Sequence, residues 1–208
     1  MKNKEIISFL VLLSLVFLQP VYMQNEWIGE KAPDFKLERI GGGYIKLSAL
    51  RRNIVLLDFW ATWCGPCKMQ LGALEEIYRE EIPNLVILSI NVAEPKSTVN
   101  DFLKRNPINW LVLLDTDGAV AEAYGVRAIP TLVLIDGEGV IQNYWVGVQE
   151  YSTILDAIED IKQASTTSSS TETTGGGETS ESIIPYVALA VVLILVVILI
   201  ARSFLKVK

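Results

Sequence analysis

The chain has 208 residues, with 18 Lys+Arg, 24 Asp+Glu and no histidine, for a formal net charge of −6. Without histidine there is no Ser-His-Asp or Cys-His catalysis, and the commonest nitrogen ligand for zinc or copper is missing. Between Glu26 and Lys162 there are 13 basic and 20 acidic residues, a balance that argues against nucleic acid as a partner.

In chain order, Lys2 and Lys4 precede an apolar run from Ile6 to Leu18 broken only by Ser8 and Ser14, the pattern of a secretory signal. No small-x-small cleavage site follows, so residues 1–23 read either as a signal peptide cut near Met23 or as a retained N-terminal anchor. The foldable domain is expected over 24–163. Asp34 to Leu37 and Tyr44 to Leu47, separated by Gly41-Gly42-Gly43, predict a hairpin. Ile54 to Trp60 is a short apolar run suited to a central buried strand. Pro66 fits the first turn of a following helix, on which Leu71, Leu74, Ile77 and Tyr78 recur at helical spacing. Leu85 to Val92 predicts a second buried strand, and Val99, Phe102 and Leu103 a helix beginning near Glu94 or Ser97. Leu111 to Leu114 reads as strand, Asp115 to Gly118 as turn, and Ala119 to Tyr124 as a short helix stopped by Gly125. Thr131 to Ile135 and Val140 to Val146 form a second predicted hairpin, and Thr153 to Ile161 a closing helix.

Residues 164–182 contain twelve Ser or Thr, three consecutive glycines and no Lys or Arg, a composition that cannot bury enough apolar surface to fold. They read as a flexible tether with a mean reach of about 25 Å. Residues 183–201 are uncharged, and 19 residues of helix span roughly 28 Å, close to the hydrocarbon thickness of a bilayer. A transmembrane helix is predicted there. Arg202, Lys206 and Lys208 follow it, whereas Glu178 and Glu181 precede it, so 202–208 is a cytoplasmic basic tail and the domain lies outside.

The two cysteines, Cys64 and Cys67, carry the chemistry. One Cys-x-x-Cys with no second pair cannot close a four-ligand zinc site, so no metal is expected. As a structural staple it would close too short a loop to remove much entropy from the unfolded chain. A cysteine just before a helix instead meets unpaired backbone N–H groups and the positive end of the helix dipole, which favour thiolate. Cys64 is therefore the expected nucleophile, and the more exposed of the two. Cys67, one turn later, is placed to attack a mixed disulfide and release the partner. Asp58 reads two ways: buried in its apolar strand with a raised pKa, able to exchange a proton with Cys67, or at a pleat position facing water.

The segment Leu57-Asp58-Phe59-Trp60-Ala61-Thr62-Trp63-Cys64-Gly65-Pro66-Cys67-Lys68 closely resembles the active-site segment of thioredoxins. Gly29 to Phe35, Asn91 to Glu94, Leu114 to Gly118 and Val126 to Thr131 extend the resemblance to the extracytoplasmic TlpA/ResA branch, over roughly Trp27 to Ile161. The resemblance implies an α/β domain of thioredoxin-like fold with an N-terminal β-hairpin and an inserted strand-helix. It implies a cis peptide at Pro130, a peptide-docking edge at Ile129, and Trp63 covering the disulfide, with Gly65 and Pro66 also against substrate. Glu94 matches a carboxylate that tunes the cysteines in ResA-like proteins; its other reading is a solvated residue at a helix start. Cys64, Cys67, Asp58 and Glu94 are thus the candidate catalytic set.

The resemblance also implies a protein disulfide oxidoreductase with no cofactor beyond the Cys64–Cys67 disulfide. It would be anchored in the cell membrane, act on exported proteins with disulfides, and draw electrons from a membrane donor. The branch often varies at Asp58 and at Gly65-Pro66, and has proline where this chain has Gly72, which favours a general reductant over dedicated cytochrome maturation. Gly-Pro adds no charge beside Cys64, so the couple should lie nearer the reducing end of the ~150 mV span between thioredoxin and a strong oxidant. The competing readings are an oxidase or isomerase on the same fold and a non-catalytic binding module. A peroxidase would need a Thr-x-x-Cys arrangement that the chain lacks.

Overall fold

The computed structural model describes residues 27–168. The segments predicted as signal, transmembrane helix and basic tail, and the predicted linker beyond Ser168, lie outside the described residues, and no helix among the described residues is long and apolar enough to cross a membrane.

Seven strands form one mixed sheet: β1 (Lys36–Arg39), β2 (Tyr44–Lys46), β3 (Ile54–Trp60), β4 (Leu85–Val92), β5 (Leu111–Asp115), β6 (Thr131–Ile135) and β7 (Ile141–Val146), in the spatial order β2-β1-β5-β4-β3-β6-β7. Four helices complete the domain: α1 (Gly65–Arg79), α2 (Lys96–Arg105), α3 (Ala119–Ala123) and α4 (Tyr151–Ser168). β3 and β4 run parallel, as do β4 and β5, so α1 and α2 are crossover helices between neighbouring strands. β6 joins β3 antiparallel, and the β1–β2 hairpin joins β5 antiparallel. Two strand-helix units, β4–α2 and β5–α3, separate α1 from Pro130.

β3 is buried along its whole length, as its near-continuous run of branched and aromatic residues requires in a covered sheet. Strand alternation then divides its side chains. Val55, Leu57 and Phe59 pack with Leu88, Ile90, Leu113, Val133 and Tyr124 on one face. Ile54 and Leu56 meet Leu74 and Ile77 of α1 and Ile154 and Ile158 of α4 on the other, and Trp60, further along that face, packs with Cys64, Cys67 and Phe102.

Several element boundaries differ from expectation. β1 begins at Lys36 because Asp34 is engaged elsewhere: its Oδ1 accepts the Ser48 N–H at 2.9 Å and its Oδ2 lies 3.3 Å from Lys46 Nζ. That contact holds the 3-10 turn Leu47–Leu50, so Leu47 leaves the predicted strand and buries its side chain. α2 starts at Lys96 with Pro95 as its cap, which puts Glu94 ahead of the helix. α4 runs on to Ser168, into the stretch read as tether, propagated from the packed stripe Ile154, Ile158 and Ile161. Gly125 ends the α3 segment as predicted: its φ of +63° suits glycine, and a Cβ there would come within 3.0 Å of the Trp27 ring.

Candidate active site

β3 delivers the chain to the site and α1 receives it. Cys64 is the N-cap of α1, with extended backbone (φ −79°, ψ 111°), followed by Gly65 and Pro66 in the first turn. Proline is tolerated there because its missing N–H would have no intrahelical partner. The Cys67 N–H donates to Cys64 Sγ at 3.1 Å, so a free helix-end donor points at the reactive sulfur. Cys64 and Cys67 are joined as a disulfide with Cα atoms 5.3 Å apart. Both are buried, at 3 % and 1 % exposure, so the expected contrast between an open and a closed cysteine is slight.

The Ile129-Pro130 peptide is cis, and the Ile129 carbonyl oxygen lies 3.7 Å from Cys64 Sγ. Ile129 packs against the cluster of Trp60, Ala61 and the two cysteines. The Pro130 carbonyl accepts the Gly147 N–H at 2.8 Å, which ties this loop to the end of β7. Gly65 and Pro66 are exposed beside it. The Trp63 side chain, next to Cys64 in the sequence, is 72 % exposed.

Asp58 takes the buried reading. It is 1 % exposed and, by alternation with Leu56 and Trp60, lies on the face covered by α1. Burial pushes its carboxyl up to about 7, against the pull of a 2.8 Å hydrogen bond from Ser89 Oγ to Oδ2. Oδ1 is buried with no partner. Glu94 is not a solvated residue at a helix start. It is 7 % exposed and its two oxygens take three hydrogen bonds: from the Thr62 N–H (2.7 Å) and Asn91 Nδ2 (2.7 Å) at Oε2, and from the Thr62 hydroxyl (2.6 Å) at Oε1. It therefore clamps the turn two residues ahead of Cys64 to the end of β4.

Five site residues were not singled out from the sequence: Thr62, Gln70, Ser89, Asn91 and Trp110. Gln70, buried on α1, accepts the Gln149 N–H at 2.7 Å and donates to its carbonyl at 3.3 Å, linking α1 to the segment after Gly147. Ser89 and Asn91 carried a signal, being polar residues at alternate positions of a buried strand, opposite Asp58 and Trp60 in the parallel register.

This arrangement sets a disulfide at a helix start beside the Ile129-Pro130 edge and the strand that carries the buried Asp58 carboxyl. The sequence model of the AhpC/TSA family matches residues 28–144, more than half of the chain. The chain belongs to the AhpC/TSA family. Among its relatives, the thiol-disulfide oxidoreductase ResA of Bacillus subtilis is 38% identical over 139 residues, 66% of this chain and 78% of that protein. The thioredoxin-like protein YneN of Bacillus subtilis is 34% identical over 122 residues, 57% of this chain and 71% of the relative. Among solved structures, a Chlorobium tepidum protein proposed to be a thiol:disulfide interchange protein DsbE matches with a TM-score of 0.58 and 31% identity, over 66% of this chain and 96% of that one. These members share the thioredoxin-like α/β architecture described above.

Proposed function

We propose that this chain is a membrane-anchored, extracytoplasmic thiol-disulfide oxidoreductase that reduces disulfides of exported proteins, with a membrane protein returning the electrons. The observation that carries the reading is the Cys64–Cys67 disulfide capping α1 with Cys64 Sγ 3.7 Å from the Ile129 carbonyl oxygen. A helix-capping cysteine has its thiolate stabilised, and the backbone at Ile129 offers an extended peptide a place to pair beside it. The names of the relatives support the same chemistry, and the predicted signal and membrane segments support the location.

In the reduced enzyme, Cys64 thiolate attacks one sulfur of the partner disulfide; the new S–S bond joins Cys64 to the partner and the other partner sulfur leaves as thiolate. Cys67 then gives its proton to Asp58 and attacks Cys64 Sγ. The Cys64–Cys67 bond forms, the mixed disulfide breaks, and the second partner sulfur departs with its electron pair. Two electrons have passed from the enzyme dithiol to the partner. Trp63, Gly65, Pro66, Ile129 and Pro130 form the surface that meets substrate, and Glu94 acts by fixing Thr62 and the turn into Cys64.

Cys67→Ser in cells should leave partners covalently joined to Cys64, recoverable and identifiable by mass spectrometry, whereas Cys64→Ser should abolish disulfide reduction. An unchanged reduction rate with Cys64→Ser would count against the enzyme. A membrane-impermeant thiol reagent should label reduced Cys64 in intact cells, and a reduction potential at the oxidant end of the range would reverse the direction.

A further inference from the structure

Ser89 and Trp110 have no part in the thiol exchange itself, yet they hold the carboxyl on which its proton step depends. The Trp110 indole N–H donates to Ser89 Oγ at 2.9 Å, and Ser89 Oγ lies 2.8 Å from Asp58 Oδ2. An indole N–H can only donate, and a serine hydroxyl has one proton to give. With Trp110 occupying a lone pair of Ser89, the hydroxyl proton is directed to Asp58. Asp58 Oδ1, equally buried, accepts nothing.

We infer that Trp110 and Ser89 are positioning residues that keep Asp58 Oδ2 occupied, so that Oδ1 is the oxygen that takes and returns the Cys67 proton. The alternative placement fails on hydrogen bonding. A proton on Oδ2 would point at Ser89 Oγ, which would then accept from both neighbours and leave its own hydroxyl proton unpaired in a buried site. A proton on Oδ1 disturbs no existing bond. Among the buried residues of the elements packed around Asp58, the one titratable side chain is Cys67: those of α1 are Cys67, Gln70, Leu74 and Ile77, those of α4 are Ile154, Ile158 and Ile161, and the register neighbours are Ser89 on β4 and Leu132 on β6. No charged side chain is among them, so the Ser89 hydrogen bond is the local lever on the ionised form of Asp58.

The inference rests on the dithiol-disulfide chemistry proposed above, and its test is read without turnover. In oxidised protein labelled with 13C at aspartate carboxyl carbons, the Asp58 signal is followed against pH. Ser89→Ala should raise the midpoint by about one unit or more, the worth of a hydrogen bond to a charged group. Trp110→Phe, at a half-buried position, should raise it by less, and Ser89→Thr, which keeps the hydroxyl, should restore it. In the reduced protein, release of partner from the mixed disulfide should shift its pH midpoint by the same amounts. An unmoved midpoint in natively folded Ser89→Ala overturns the inference, and an unmoved midpoint in Trp110→Phe does so even where Ser89→Ala does not fold. The two readings fail separately. Unshifted titrations in a protein that reduces insulin disulfides remove the positioning pair alone, while shifted titrations in a protein that cannot reduce them support the pair and remove the proposed function.

Discussion

The two faces of β3 are built from the same strand yet differ in kind. Val55, Leu57 and Phe59 enter an apolar layer whose buried polar groups are satisfied: Asp115, on that side of β5 by alternation with Leu113, accepts the Val120 and Ala121 N–H groups, and the Tyr124 hydroxyl donates to the Pro33 carbonyl at 2.8 Å. Burial pushes that hydroxyl's pKa upward, so it stays neutral. The opposite face carries Asp58, Ser89 and Asn91 under α1, and three buried atoms there have no partner: Asp58 Oδ1, Trp60 Nε1 and Asn91 Oδ1. A buried polar atom without a partner costs stability. One face is therefore spent on holding the fold, while the other gives up some stability for a group that can change protonation.

Phe59→Ala should break the comparison hardest if it is wrong. Phe59 is fully buried and its ring centroid is 5.4 Å from that of Tyr124, so truncation should cost about 3–5 kcal/mol in urea unfolding. It should leave the Asp58 titration midpoint where it was. A shifted midpoint would mean that the two faces are not separable.

Asp58→Asn should act in the opposite sense on stability. The unfolded carboxyl ionises near its ordinary 3.8 and the folded one at about 7. Between those values the native state keeps a proton that the unfolded state has lost, so stability falls as pH rises and the deficit is complete above 7, at roughly 4 kcal/mol. The variant should match the parent at pH 3.5 and exceed it by up to that amount at pH 8. Release of partner from the mixed disulfide should slow about 100-fold, the contribution of a positioned acid-base group. Urea unfolding at the two pH values and stopped-flow release measure both.

The faces differed in legibility too. The apolar runs placed β3 and β6 to the residue, because burial on both sides leaves a composition that reads directly. Cys64 and Cys67 were legible from their spacing and their place between strand and helix, and the cis peptide at Pro130 from the family resemblance of Val126 to Thr131. Alternation placed Asp58 opposite Phe59, but whether its face was wet depended on α1 lying across it, a tertiary fact. Glu94 was harder. Its partner Thr62 is 32 residues away, and the chain reaches it through a left-handed turn at Ala93 (φ 56°), a conformation that alanine gives no reason to expect. The end of α4 was set too early because a Ser/Thr-rich composition conceals a helix extended from packed isoleucines.

Glu94→Gln sharpens the functional side. A glutamine carbonyl can keep the two N–H bonds made at Oε2 while its amide nitrogen donates to the Thr62 hydroxyl, but the negative charge that strengthens all three bonds is gone. A cost of about 1.5–3 kcal/mol is expected, together with slower attack by Cys64 as the turn at Thr62 loosens. Thermal unfolding and the rate of reaction with a small disulfide test the two parts. A stability loss with an unchanged Cys64 rate would make the clamp purely structural.

The Lys96–Glu38 pair belongs to neither face and should matter least. Its 2.6 Å contact joins the start of α2 to β1, with the two side chains 45% and 39% exposed. At that exposure solvent and the entropy of two long side chains offset most of the attraction, leaving about 0.2–1 kcal/mol. Lys96→Ala should lose only that, and the loss should shrink in 1 M salt as screening shortens the range of the charges. A salt-insensitive loss as large as that of Glu94→Gln would show that the pair docks the β1–β2 hairpin on the domain. The division into a stabilising and a functional face would then omit a third part, one whose hold on β5 bears on how firmly β4 presents Asn91 and Glu94 to the turn before Cys64.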